Sequence, residues 1–98
     1  MSDNTAETVT PAAIAAETER ARRNLVGWLI WFRTARSDVA TSDAELARRL
    51  GGITGAAVHY WFKPGSTRLP SFRNLVAIKM LYGVPLEVLL FSDPPTPK

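Results

Sequence analysis

The chain has 98 residues, no cysteine and a formal net charge of +3. That length makes one domain with a modest core, since folding at this size takes only about 60–65% of the chain's surface out of water. Its apolar fraction of 46% and charged fraction of 21% are those of a soluble globular protein. They exclude a disordered chain, and the lack of cysteine excludes a disulfide scaffold, a thiolate nucleophile and Cys-ligated zinc.

Met1 to Thr10 is small, polar and acidic, and reads as a flexible acidic arm over 1–10. With no basic n-region and no apolar h-region it does not read as a secretory signal. Thr10 before Pro11 has the form of an N-cap followed by proline at the first helical position. The helix it opens carries Leu25, Trp28, Leu29 and Phe32 at i, i+3, i+4 and i+7, one helical face. Val26, Ile30 and Trp31 lie off that face, so this helix needs cover on more than one side. The run Leu25 to Phe32 is eight residues, far short of the ~20 that span a bilayer. Gly27 is a weak point inside the helix, which should fade around Arg36-Ser37-Asp38.

Ser42 stands three residues before Glu45, the spacing of a capping box in which the glutamate reaches back to the cap amide. Leu46, Ala47 and Leu50 form the apolar stripe of this second helix, and Gly51-Gly52 stops it by permitting positive φ. Thr54 caps a third helix that turns Val58 and Trp61 inward, ended by Lys63-Pro64-Gly65 because the residue before proline leaves the helical region. Pro70-Ser71 starts a fourth, with Phe72, Leu75, Ile78 and Leu81 as core positions and Gly83 as its stop. Val84-Pro85 opens a short fifth helix with Leu86, Leu89 and Leu90 apolar. Residues 92–98 contain three prolines and read as a loose Pro-rich tail. No strand-like alternation and no internal repeat is present, so the fold expected is all-α with five helices.

Charge is divided along the chain. Up to position 19 there are four acids (Asp3, Glu7, Glu17, Glu19) and no base; from Arg20 on, twelve bases face five acids, an excess of +7. A domain with that excess attracts polyanions, although screening beyond about 8–10 Å makes the positions of the bases matter more than their sum.

Two short helices joined by a glycine turn, the second amphipathic and followed by a basic loop, make the helix-turn-helix pattern. Ser42 to Phe91 resembles the Cro/repressor-type, lambda-repressor-like domain of the Xre family. The resemblance rests on Glu45-Leu46-Ala47-Arg48-Arg49-Leu50-Gly51, Ile53-Thr54, Val58-His59-Tyr60-Trp61, Lys63-Pro64-Gly65 with Arg68 and Pro70, Asn74-Leu75-Val76-Ala77-Ile78, and Val84-Pro85-Leu86-Glu87-Val88-Leu89-Leu90. The aromatic first helix fits the family's first helix, and residues 11–91 are the expected DNA-binding domain. Two departures stand out. The Gly51-Gly52-Ile53 turn looks one residue longer than usual, and Gly55-Ala56-Ala57 lacks the Gln, Ser, Asn or Arg side chains that read base edges.

The resemblance implies a sequence-specific double-stranded DNA-binding transcriptional regulator, expected to be a cytoplasmic repressor, with a recognition helix over about Thr54–Lys63 in the major groove. Amides near Ser42 and Thr54 are candidates for phosphate. Gly55, Ala56 and Ala57 begin the recognition helix, where Ala56 or Ala57 could pack on a thymine methyl. His59 and Tyr60 face outward toward base edges or phosphate. Lys63, Arg68 and Arg73 are candidates for backbone phosphate, which positions a protein without specifying sequence. A homodimer is expected, with Val26, Ile30 and Trp31 at its contact.

Simpler roles compete at several of these positions. His59, the one histidine, lacks companions for a metal site. Trp28, Trp31 and Trp61 read as core or interface rather than base-stacking groups, and Arg48 and Arg49 equally as a solvated face. No phosphate loop, dinucleotide fingerprint or nucleophile elbow occurs, so no enzyme, cofactor, small-molecule substrate or membrane partner is expected. The alternative is a protein–protein interaction module that keeps the helix-turn-helix fold and no longer binds DNA.

Overall fold

The computed structural model describes residues 8–63, 66 and 68–95. Most of the arm expected over 1–10 lies outside these residues. The described chain is all-α: α1 (Pro11–Ala35), α2 (Asp43–Leu50), α3 (Gly55–Phe62), α4 (Phe72–Tyr82) and α5 (Leu86–Phe91).

Hydroxyl caps at four helix starts set the local frame. The side-chain oxygens of Thr10, Ser42, Thr54 and Ser71 accept from the amides of Ala13, Glu45, Ala57 and Asn74 at 3.1–3.2 Å. Each satisfies one of the four amides a helix start leaves without an intrahelical partner. The capping box at α2 differs from expectation in one respect. Glu45 Oε1 accepts from the amide and the hydroxyl of Thr41, one residue before the cap. At the other end of α2, Gly51 and Gly52 both take positive φ, 74° and 76°, so a β-carbon at either would be strained.

The core gathers Leu25, Leu29 and Phe32 from α1, Leu46, Ala47 and Leu50 from α2, Val58 and Trp61 from α3, Ile78 and Tyr82 from α4, and Leu89 from α5. Phe32 and Tyr82 stack with ring centroids 3.9 Å apart. Burial there pushes the Tyr82 hydroxyl above its ordinary range, because desolvation disfavours the phenolate. Asn24, buried on α1, donates from Nδ2 to the Leu90 carbonyl at 2.9 Å and fastens α1 to α5.

Two expectations are corrected by this packing. Phe72 is 76% exposed and is not a core residue. Four positions spaced by three drift about 60° per step around a helix, so 72, 75, 78 and 81 cannot share a face. The buried stripe instead runs through Ile78 to Tyr82. The tail is not loose where it is described. The Trp28 indole donates to the Ser92 carbonyl at 3.0 Å, and Pro94 sits against Gly27. Ile30, Trp31, Pro94 and Pro95 border one shallow pocket. Of the expected dimer contact, then, Ile30 is exposed, Val26 and Trp31 are half-buried, and the chain's own tail lies beside the latter.

Candidate nucleic-acid interface

On α3 the 3.6-residue period divides the side chains cleanly. Val58 and Trp61 are buried, Ala56, His59 and Lys63 are exposed, and Tyr60 is half-buried between them. The Thr54 hydroxyl and the four-residue connection Gly51–Thr54 set where this helix begins. Gly55 does not present itself outward. A β-carbon there would lie 3.3 Å from Cα of Ala44, so its bare backbone lets α3 press against α2. Ala57 is half-buried, which leaves Ala56 as the outward residue of that segment.

Beyond α3 the bases collect around Tyr60. The Arg68 guanidinium carbon lies 4.6 Å from the Tyr60 ring centroid and Lys63 Nζ 5.6 Å from it, within cation–π range. His59 meets the same ring edge-on at 6.0 Å. The Arg68 amide donates to Ser66 Oγ at 3.1 Å and the Ser66 amide to the Lys63 carbonyl at 3.1 Å, folding the loop back to α3. Pro64, Gly65 and Thr67 lie outside the described residues.

Two arginines hold this unit from behind. Arg22 on α1, largely buried, donates from Nη2 to the Lys63 carbonyl at 3.0 Å and so completes the end of α3. Arg73, at the start of α4, donates from Nη1 to the Gly51 carbonyl at 3.0 Å and to Asn74 Oδ1 at 3.1 Å. Its guanidinium also closes over Gly52. Arg73, expected at phosphate, is thus tied to the α2–α3 turn while remaining exposed.

The start of α2 is electrostatically different from the other helix starts. Asp43 pairs with Arg33 from α1, and its other oxygen lies 3.5 Å from His59 Nδ1. Arg33 also stacks 4.4 Å from the centroid of the Phe62 ring. The Thr41 hydroxyl and then its amide hold the Glu45 carboxyl below its ordinary range. Both carboxylates at this helix start are thus compensated by arginines, and the Ser42 hydroxyl oxygen already accepts from the Glu45 amide. Arg48 pairs with Glu45 at 3.8 Å and Arg49 donates to the Val39 carbonyl at 3.2 Å.

Sequence reasoning missed Arg22, whose one local sign is a charge beside an apolar helical stripe, and the Arg33–Asp43–His59 link, which joins three helices and has no local sign. Among the described residues no three metal-binding side chains converge, and no helix is long and apolar enough to cross a membrane. No family model matches the chain, and the searches of curated proteins and of solved structures return no match.

Proposed function

We propose that this chain is a sequence-specific double-stranded DNA-binding regulator of the Xre type, acting in the cytoplasm as a dimeric repressor with α3 in the major groove. The observation that carries the reading is the outward face of α3, with Ala56 and His59 exposed and the Tyr60–Lys63–Arg68 cluster at its end. In this reading Ala56 packs on a thymine methyl and His59 meets a base edge. Lys63 and Arg68, held on Tyr60, meet phosphates on one side of the groove. Arg73 fixes the turn that aims α3, and its remaining donors reach phosphate. The α2 start contributes little, since its cap oxygen already accepts from the Glu45 amide and its charges are paired, Asp43 with Arg33 and Glu45 with Arg48.

Selection of bound duplexes from a random pool tests this. A two-fold-symmetric site bound at least about 10³-fold more tightly than random duplex is expected. Failure to bind any duplex at about 50 mM salt, where phosphate attraction is strong, removes the reading.

One observation favours the second reading, a protein-interaction module on the same fold. The start of α3 presents only Ala56 outward, with Gly55 turned to Ala44 and Ala57 half-buried, so few side chains are left to read bases. Binding of any duplex at about 50 mM salt separates the two.

A further inference from the structure

His59 stands on the outward side of α3 with its side chain 65% exposed, yet one nitrogen of its ring faces its own chain. Nδ1 lies 3.5 Å from Oδ2 of Asp43, the first residue of α2. The other oxygen of that carboxylate pairs with Arg33 of α1. Arg33 in turn stacks on the Phe62 ring, 4.4 Å from its centroid. Phe62 thus steadies Arg33, Arg33 steadies Asp43, and Asp43 faces His59. The imidazole also meets the Tyr60 ring edge-on at 6.0 Å.

A neutral imidazole carries one N–H and one lone pair, and its surroundings decide which nitrogen holds which. An ionised carboxylate presents only lone pairs. Turned to Nδ1, it repels a lone pair there and attracts a proton. Arg33 fixes the choice of oxygen: with Oδ1 taken by the guanidinium, Oδ2 is the atom left for the ring. A proton on Nδ1 leaves Nε2, the nitrogen remote from the side-chain stem, as a bare acceptor. Such an atom has nothing to give a phosphate oxygen, guanine N7 or O6, or thymine O4, all of which only accept. In the major groove its partners are the donors, the N6 amino group of adenine and the N4 amino group of cytosine.

We propose that Asp43 is a positioning residue for base readout: it holds His59 as the Nδ1–H tautomer, so that Nε2 accepts from the exocyclic amino group of adenine or cytosine. The base assignment rests on the DNA-binding reading. The tautomer does not.

The chain has one histidine, so a long-range 1H–15N spectrum of the untagged, 15N-labelled chain reports His59 alone. At about pH 8, where an ordinary imidazole is neutral, the free wild type is expected to show the Nδ1–H pattern. Asp43→Asn is expected to invert it. The amide turns its carbonyl to Arg33 and its NH2 to the ring, and a donor facing Nδ1 favours a lone pair there. Competition binding then compares the four bases at the position where His59→Ala loses discrimination. Wild type is expected to prefer adenine or cytosine over guanine by about 5-fold or more. Asp43→Asn is expected to lose or reverse that preference and keep the others, whereas a merely structural loss weakens every position alike. The wild-type spectrum and preference need no variant, and far-UV circular dichroism verifies the fold of Asp43→Asn.

An Nε2–H wild type overturns the proposal. So does a preference for guanine at that position, a His59→Ala variant that keeps discrimination everywhere, or an Asp43→Asn variant that keeps both tautomer and preference. Failure to bind any duplex removes the DNA-binding reading, and the base assignment falls with it. Duplex binding by a chain whose His59 is Nε2–H removes this proposal alone.

Discussion

Pro94 occupies the place that a side chain on Gly27 would take: a β-carbon there would lie 2.6 Å from Pro94 Cγ. Sixty-four residues separate Trp28 from Ser92, whose carbonyl accepts from the Trp28 indole beside this notch. Glycine in mid-helix costs about 0.5–1 kcal/mol relative to alanine, so its presence has a local cost that the docked tail offsets. Gly27→Ala is expected to displace Ser92–Pro95, exposing Trp28 and shifting tryptophan emission to the red with little change in thermal midpoint. A gain of about 1 kcal/mol without a spectral shift would show that the tail does not sit there.

Arg22→Ala should loosen the end of α3. The Lys63 carbonyl loses a charged donor at 3.0 Å, a bond worth about 1.5–3 kcal/mol. Urea unfolding at neutral pH should register a loss of that order. Arg22→Lys should recover less than half of it, because an ammonium cannot reproduce the planar guanidinium fork. A variant as stable as wild type would mean the clamp contributes nothing.

Salt titrations of duplex binding should sort the residues around α3. Lys63→Ala and Arg68→Ala should each weaken binding to every sequence alike and lower the salt slope by about 0.9. His59→Ala should blunt discrimination between sites by about 1–3 kcal/mol while leaving the slope unchanged. Tyr60→Ala should do both, since Arg68 and Lys63 rest on its ring. Equal effects of all four on selected and random duplex would place α3 outside the groove.

Two α4 residues of similar hydrophobicity should behave oppositely. Ile78 is fully buried whereas Phe72 is mostly exposed. Ile78→Ala is expected to cost about 2–5 kcal/mol through lost transfer energy and the cavity left behind, and Phe72→Ala under about 0.5 kcal/mol. Chemical denaturation of the two variants compares them directly.

Acid should expose the Thr41–Glu45 contact. The folded carboxyl of Glu45 titrates below its ordinary 4.5, so its contribution is fully present above that pH and is lost as pH falls through the lower folded value. Asp38, lowered chiefly by its hydrogen bond from Arg36, acts with the same sign. Thermal midpoints measured from about pH 6 to pH 2 should fall less steeply in Glu45→Gln than in wild type. Parallel curves would show that the contact carries no linkage.

The candidate site was only partly legible. A period of 3.6 residues is enough to turn Val58 and Trp61 inward and His59 outward, and a loop with Lys63 and Arg68 is basic wherever it goes. Gly55 was not readable in this way, because whether its backbone faces groove or neighbour depends on how closely α2 approaches. Phe72 misled because three-residue spacing holds one face over two steps but not over three.

The four hydroxyl-capped helix starts, the glycine stops of α2 and α4 and the inward stripes of α2 and α3 are settled within four residues of themselves, by a hydroxyl, a glycine or a repeat, and a linear string displays them. Arg22 reaching 41 residues to Lys63 and Arg73 reaching 22 residues back to Gly51 leave no such local trace. Nor does proline seated on a glycine of the first helix. These contacts exist only once the helices have packed, because a donor and a carbonyl far apart in the chain meet through the sum of every crossing angle and turn between them.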